Sequence, residues 1–492
     1  MVIEREQDVE KLRQAALMLE AENRRLTQKL AEVMRELAQA KGQDASVLQL
    51  KLAELERQLQ TRNRALFGPS SEKRPVPEPA EASEKKPQTG HGRKEQRALP
   101  EMEHVHRLDE ADKKCPSCGG ELTEWEGQFE ESEEVDVLAR TFVVLKHKRQ
   151  KYRCKCGGCV ETALGPQKLF EGARYSIDFA ADVAIQKYLD HLPLERQVRI
   201  YAREGLEVES QTLWDYLERL AGLLEPAYLA IQKHVLAQPV VGADETRWLL
   251  MGAPAEEKTR WQAWALTSSE AVFYAILDSR SANAARQVLG EYTGTVMADG
   301  YSAYQSLKRQ GAGFRLAHCW AHVRRKYLEC ETTHPQVAEV LALITELYAI
   351  EAGCPTGPPG DELRAQLRRE KSKDVVRRIH QWALEQRPLP ESGLGKAIAY
   401  MGGIWPGLLH FLEDATVPLD NNATERALRG PVVGRKNHYG SRSRRGTEVA
   451  ALFYTLLESA KLAGREPREY LRRAVRAALA GERLPLPHEA AA

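Results

Sequence analysis

Three acids, far apart in the chain, sit where metal-assisted phosphoryl chemistry needs them. Val240-Val-Gly-Ala-Asp244-Glu-Thr-Arg-Trp is a short apolar run ending on an acid, and Thr295-Val-Met-Ala-Asp299-Gly-Tyr repeats the arrangement with a turn-permitting Gly300 behind it. Much further on, Leu419-Asp-Asn-Asn-Ala-Thr-Glu425-Arg-Ala-Leu-Arg429 reads as a helix start with Glu425 about one turn in. Carboxylate oxygens are hard ligands of the kind Mg²⁺ prefers. Two such ions about 4 Å apart activate an attacking oxygen and stabilise the departing one at a phosphodiester. Asp244, Asp299 and Glu425 are therefore the expected catalytic and Mg²⁺-binding residues of a polynucleotidyl transferase, with two Mg²⁺ per active site and Mn²⁺ as the alternative ion. As an isolated motif, Asn422-Ala-Thr-Glu425 equally fits a helix cap with the acid at its third position. Position favours the catalytic reading, because the glutamate follows the segment that interrupts the sheet. Asn421 or Asn422 is expected to cap that helix and fix the direction of Glu425.

The elements that must position these acids follow from periodicity. Residues 240–243, 261–267 and 271–277 read as three successive strands, 282–292 as a helix and 295–298 as a fourth strand. Three strands, helix, strand is the start of an RNase H-like sheet, in which the first and fourth strands lie side by side and bring Asp244 to Asp299. Phe314-Arg-Leu-Ala-His318-Cys319-Trp-Ala-His322-Val-Arg-Arg-Lys reads as a strand running into a basic helix. His322 is expected to orient a catalytic carboxylate or a phosphate. Cys319 and His322, one helical turn apart, also make a second metal site conceivable, and Arg324 and Arg325 face DNA or solvent. Residues 333–410 look helical and interrupt the sheet as an inserted subdomain. After them, Arg426 and Arg429 are expected to hold DNA phosphates. The stretch from Gly434 to Gly446 reads as a basic, Gly-punctuated hairpin or loop whose Arg435, Lys436, Arg442, Arg444 and Arg445 suit a backbone-tracking DNA groove. An apolar helix over 448–463 closes the core.

Upstream, a heptad runs over residues 9–40. Val9, Ala16, Asn23, Leu30 and Leu37 fall at one core position, and Leu12, Leu19, Leu26, Val33 and Ala40 at the other. A lone core Asn favours a parallel dimer in register. Residues 75–100, rich in Pro, Glu, Lys and Gly, form a linker. Five of the eight cysteines fall between Cys115 and Cys159, which in a reducing compartment argues for metal over disulfides. Cys115-Pro-Ser-Cys118-Gly-Gly is one knuckle of a zinc ribbon, and Cys154-Lys-Cys156-Gly-Gly-Cys159 supplies the other. Structural Zn²⁺ takes four of these five thiolates, and the spacing leaves open which three-way choice is made. Val135–Leu145 looks like strand between them, followed by a basic strand from Lys146 to Arg153. Helices at 194–203 and 211–220, joined by a Gly-bearing turn with Ser210 as N-cap, outline a helix-turn-helix.

With 492 residues, 42% hydrophobic and a net charge of +1, the chain exceeds what one core organises. Its charged opening and the lack of a long apolar run point to a cytoplasmic, nucleoid-associated protein with no membrane partner. The expected organisation is multidomain α/β. A coiled coil (1–67) and linker (68–103) precede a zinc ribbon (104–165) and a helical DNA-binding domain (166–238). The RNase H-like core (239–332 and 413–484) follows, split by the helical insertion (333–412).

These motifs together resemble the large transposase of the insertion sequence 66 family of bacterial elements. The resemblance rests on Leu66-Phe-Gly-Pro-Ser-Ser-Glu-Lys73, Cys115-Pro-Ser-Cys118-Gly-Gly, Ala243-Asp-Glu-Thr246, Ala298-Asp-Gly-Tyr301, Cys319-Trp-Ala-His322-Val-Arg-Arg325 and Asp420-Asn-Asn-Ala-Thr-Glu-Arg-Ala-Leu-Arg429. It implies a DDE transposase that cuts at element ends and joins them to target DNA, with Asp244, Asp299 and Glu425 as catalytic residues. Its implied partners are double-stranded DNA (terminal inverted repeats and target), a second or further subunit through the coiled coil, and small accessory proteins of the element. The Cys154-Lys-Cys156 spacing departs from the family's two-residue gap. The alternative reading is a catalytically inactive or nuclease-only DNA-binding derivative. If Cys156 and Cys159 complete the zinc site, Cys154→Ser retains one zinc per chain by atomic absorption, and loss of that zinc reverses the choice.

Overall fold

The computed structural model describes residues 28 and 32, most of 102–153, residue 155, and 159–489 apart from 255, 256, 258 and 356. The heptad segment (save residues 28 and 32), the linker up to residue 101, Cys154 and Cys156 lie outside the described residues. Two compact units result, one within 69–140 and one formed chiefly by 141–492, so the ribbon expected over 104–165 straddles both.

In the smaller unit the first knuckle is a tight turn. Cys115 N–H donates to the Gly120 carbonyl (2.8 Å), Gly119 N–H to that of Cys115 (2.8 Å), and Leu122 N–H to that of Lys113 (2.9 Å). In the larger unit, β1 (Lys151–Arg153) pairs antiparallel with β2 (Val160–Thr162). The strand expected over 135–145 is not seen where it is described, at 140–145, and of the basic strand only 151–153 forms.

Helices α1 (Ile177–Tyr188), α2 (Leu194–Arg203) and α3 (Ser210–Leu236) follow. Leu213, Leu217, Leu220, Leu224 and Ile231 of α3 recur at helical spacing and are fully buried. They join the same core as the sheet, so these helices do not close a core of their own. Ser210 is not the N-cap of α3; its hydroxyl donates to Glu195 Oε1 at 2.6 Å and ties α3 to α2.

The sheet comprises β3 (Val240–Arg247), β4 (Gln262–Thr267), β5 (Val272–Leu277), β6 (Thr295–Ala298) and β7 (Arg315–His318) in the order β5-β4-β3-β6-β7. β3, β4 and β5 pair antiparallel, whereas β3-β6 and β6-β7 are parallel. Parallel neighbours need crossovers, supplied by α4 (Ala282–Leu289) and α5 (Ser302–Arg309). The expected first and fourth strands are thus neighbours.

After β7 come α6 (Trp320–Leu328), α7 (Val337–Ala352), α8 (Asp361–Leu367), α9 (Lys373–Glu385) and α10 (Gly393–Gly403), with two single-turn helices up to Glu413. Their apolar faces build a second core around Trp320, Tyr327, Ile344, Trp382 and Phe411, which Met297 of β6 and Ala317 of β7 join. Finally α11 (Asn422–His438) and α12 (Arg444–Leu462) return to the sheet, and α13 (Pro467–Ala480) packs on α1, α3 and α12.

Helix α12 lies along the outer edge of β5. Ser459 Oγ accepts from Val272 N–H (3.0 Å) and donates to the Val272 carbonyl (2.9 Å), while Thr455 Oγ1 accepts from Tyr274 N–H (2.9 Å). Side-chain hydroxyls thereby complete backbone groups that an edge strand leaves open.

Of the basic hairpin or loop expected over 434–446, only 439–443 lies outside helix, and the rest is the end of α11 and the start of α12. Gly434 is a packing residue: a Cβ there would lie 2.0 Å from the Tyr454 hydroxyl oxygen. Pro431 stands inside α11 and cannot donate to the carbonyl of Ala427. The Tyr274 hydroxyl donates to that carbonyl at 2.6 Å, so the helix continues with the orphaned acceptor satisfied. Tyr274→Phe should therefore cost about 1–3 kcal/mol, the usual penalty for an unsatisfied buried acceptor, measured by urea denaturation.

Candidate active site

Asp244 lies on β3, whose side chains alternate between faces. Gly242 and Asp244 share one face; Ala243 and Glu245 share the other, buried one. The β3-β6 register pairs Gly242 with Met297, and extending it two residues sets Asp244 level with Asp299, immediately past β6. One oxygen of each aspartate is fixed by the main chain. Asp244 Oδ1 accepts from Glu245 N–H (2.8 Å) and Asp299 Oδ1 from Tyr301 N–H (2.9 Å). The Asp299 turn is held further by His318 Nδ1, 3.1 Å from the Asp299 carbonyl, and by Gly300 N–H donating to the Tyr400 hydroxyl of α10 (3.2 Å).

Glu425 arrives from the first turn of α11, which is seated directly on β3. Buried Asn421 donates through Nδ2 to the Ala243 carbonyl (2.9 Å), just past the last β3-β6 pair. Its Oδ1 accepts from Thr424 Oγ1 (2.7 Å), and Thr424 and Thr267 share a hydroxyl–hydroxyl bond of 2.6 Å. Gly242 makes the seat: a Cβ there would stand 2.1 Å from Thr424 Oγ1 and 2.8 Å from Asn421 Oδ1. Neither asparagine caps α11 through its side chain, as Asn422 Nδ2 donates instead to Asp420 Oδ2 (2.6 Å). The sequence reading missed Gly242, Thr267 and Thr424 because the contacts that join them run between β3, β4 and α11, with Thr267 and Thr424 157 residues apart and no local signature.

Two side chains of α6 flank the glutamate. His322 Nε2 is 3.7 Å from Glu425 Oε1, and Arg325 Nη2 is 3.8 Å from Oε2. Glu425 Oε1 and His322 Nδ1 are both buried without a hydrogen bond. Cys319 Sγ, directly before α6, accepts from Asn421 N–H at 3.2 Å, and burial pushes this thiol up to about 12. Behind the sheet, Glu245 meets Arg280 at 2.7 Å and the Tyr304 hydroxyl at 3.1 Å. Strand alternation was the available signal for this network, since an acid next to Asp244 must face the opposite side.

Asp244 is pushed up to about 7, first by burial, then by Glu245, with further contributions from Asp299 and Glu425. Its ionisation is thus opposed by the other two acids, placing all three in one electrostatic neighbourhood. A divalent cation would relieve that repulsion, and an all-oxygen donor set suits a hard ion.

Of the expected DNA-contacting residues, Arg426, Arg429, Lys436, Arg442 and Arg444 are exposed and Arg324 is half-buried. Several are engaged within the chain: Arg325 flanks Glu425, and Arg444 lies over the Trp261 ring at 5.7 Å. Arg435 donates to the Arg247 carbonyl and Thr246 Oγ1, and Arg445 pairs with Glu218 (3.2 Å) and Glu448 (2.9 Å). Among the described residues no helix is long and apolar enough to cross a membrane.

Comparison with known proteins identifies a family. Residues 172–449 match the profile of the transposase IS66 family, and residues 112–157 match the zinc-finger binding domain of that transposase. The second match supports structural zinc. The chain is similar to two proteins of Sinorhizobium fredii (strain NBRC 101917 / NGR234). Identity to y4jD is 32% over 377 residues (73% of either chain), and to y4qI 31% over 396 residues (75% of this chain and 72% of the relative).

Because its carboxyl titrates near 7 in the fold against about 3.9 in an unfolded chain, Asp244 binds its proton more tightly when folded. The metal-free protein should lose stability as pH rises from about 4 to 7 and level off above. Asp244→Asn is expected to be more stable than the unsubstituted chain at pH 8, by roughly 1–4 kcal/mol, and indistinguishable below pH 4. Thermal denaturation across that range checks it.

Proposed function

The chain belongs to the IS66 transposase family, and on that premise we propose that it is a DDE transposase performing Mg²⁺-dependent cleavage at element ends and strand transfer into target DNA. The observation that carries this reading is the shared field of Asp244, Asp299 and Glu425, drawn from two adjacent strands and one helix. The order β5-β4-β3-β6-β7, three antiparallel strands continued by two parallel ones, supports an RNase H-like core, built from 239–332 and 413–484 around the inserted helices of 333–412.

Asp244, Asp299 and Glu425 would hold divalent cations, whose chemistry when bound would be activation of an oxygen nucleophile and neutralisation of charge at the departing 3′-oxygen. The protein's own part is positional and electrostatic. Glu245 N–H and Tyr301 N–H fix the rotamers of the two aspartates before any ligand arrives. Asp244 must shed its proton to serve as a ligand. His322 and Arg325 hold the Glu425 carboxylate from either side. Asn421 sets the height of α11 above β3, and Asn422 buttresses the preceding Asp420. Arg426 and Arg429 are exposed on the helix that carries Glu425, suited to gripping the phosphates that flank the scissile one. The zinc-finger segment and the helices of 166–238 add DNA contacts, and the 1–67 heptads pair subunits so that two element ends are held together.

The test is a supercoiled plasmid carrying the cognate ends, incubated with the full chain and Mg²⁺. Cleaved and joined products are expected, falling by more than about a hundredfold in Asp299→Asn, beyond the range caused by losing an outer partner of a metal ligand. Equal activity of that variant would overturn the assignment, and cleavage without joining would reduce the protein to a nuclease.

A further inference from the structure

We propose that Cys319, His322 and Glu425 form a second metal site, selective for a borderline transition-metal cation such as Zn²⁺, and that its occupation withdraws Glu425 from the aspartate pair. One donor atom from each of the three residues lies within 4.8 Å of the others. Thiolate, imidazole and carboxylate together are a zinc-type set, whereas Mg²⁺ has little use for sulfur.

The geometry is close to that of a bound ion. His322 Nε2 and Glu425 Oε1 are 3.7 Å apart, and two ligands at zinc–nitrogen and zinc–oxygen lengths around a tetrahedral centre stand about 3.4 Å apart. Drawing the sulfur in requires a closure of at most about 1.3 Å. The donors are available. Glu425 Oε1 makes no hydrogen bond although buried, and the Cys319 sulfur is met by main-chain N–H groups, accepting from that of Asn421 at 3.2 Å. Arg325 stays beside Oε2, leaving Oε1 as a single-oxygen ligand.

Cys319 and His322 are also rigidly presented. They sit at the N-cap and in the first turn of α6, three residues apart and so on one helix face. Trp320 N–H donates to the Leu419 carbonyl (3.1 Å), locking this helix end to the strand of chain that leads into α11. Three protein ligands leave a fourth position for water.

Glu425 would then have two alternative metals to serve. With a hard cation at the aspartates it completes the cleavage site; with a thiophilic cation at Cys319 and His322 it is sequestered. The inhibitory half of this inference rests on the catalytic reading above, while the metal site itself does not.

Cobalt tests the site directly. The full chain, its zinc-finger segment loaded with Zn²⁺, is titrated with Co²⁺ while the near-ultraviolet sulfur-to-cobalt absorption is followed. One additional equivalent is expected in the unsubstituted chain and in Cys115→Ser corrected for its own ribbon exchange. It should be lost in Cys319→Ser and weakened at least about tenfold in His322→Gln, whose side chain is 20% exposed and the safer substitution for folding; circular dichroism verifies both folds. Cobalt absorption unchanged in folded His322→Gln and Cys319→Ser would overturn the site. In the plasmid assay, the Zn²⁺ needed for half-inhibition should rise at least about tenfold in Cys319→Ser relative to the unsubstituted chain. An unaltered value overturns the sequestration of Glu425. Cobalt binding in a chain that cleaves under no cation upholds the metal site and defeats the catalytic reading instead.

Discussion

The seating of α11 on β3 is the constraint on which the rest of the candidate site depends. One amide side chain, Asn421, reaches the carbonyl of Ala243, and a column of hydroxyls from Thr424 to Thr267 continues the contact to β4. This bond network is buried, so each donor and acceptor is worth more as a pair than as a loose group. It closes only because Gly242 leaves room for it. Lift the helix by the thickness of a methyl group and Glu425 leaves the two aspartates, although nothing in the carboxylates themselves has changed.

A second consequence of that seating is electrostatic. Bringing three acids together in a partly enclosed cleft opposes folding, and the protein meets this opposition with several devices. Main-chain N–H groups steady Asp244 and Asp299, Arg280 and Tyr304 neutralise Glu245 behind the sheet, and His322 and Arg325 stand on either side of Glu425. What these leave uncompensated is concentrated on Asp244. Repulsion held in reserve in this way is a natural source of cation affinity, because binding releases it.

Much of the sheet was legible beforehand. Apolar runs bounded by turn residues marked β4, β5 and β6 to within a residue and the start of β3, which runs on to Arg247 past its expected end at 243, and the order of three strands, helix and strand put Asp299 beside Asp244. Glu425 was legible by its place after the interrupting helices. The failures share a cause. Glycine and arginine between residues 434 and 446 looked like a hairpin because composition cannot reveal that Gly434 lies against Tyr454 or that Tyr274 repairs the helix at Pro431. Ser210 and Asn421 look like helix caps, yet each spends its side chain on a distant element. The polar residues here act over tertiary distances, while periodicity reports only neighbours along the chain. Arg435 and Arg445 have partners of the same distant kind: a basic side chain reads as free until its acceptor is seen.

The hydroxyl seam between α12 and β5 has a temporal side. Ser459 completes Val272 from 187 residues downstream, and at ordinary ribosomal rates of about 5–20 residues per second that partner emerges roughly 10–40 s after the strand does. For that interval the nascent chain carries an uncapped β-template, open to pairing with a neighbouring polypeptide on the same message. A chain made this way has reason to be translated sparsely or under chaperone cover.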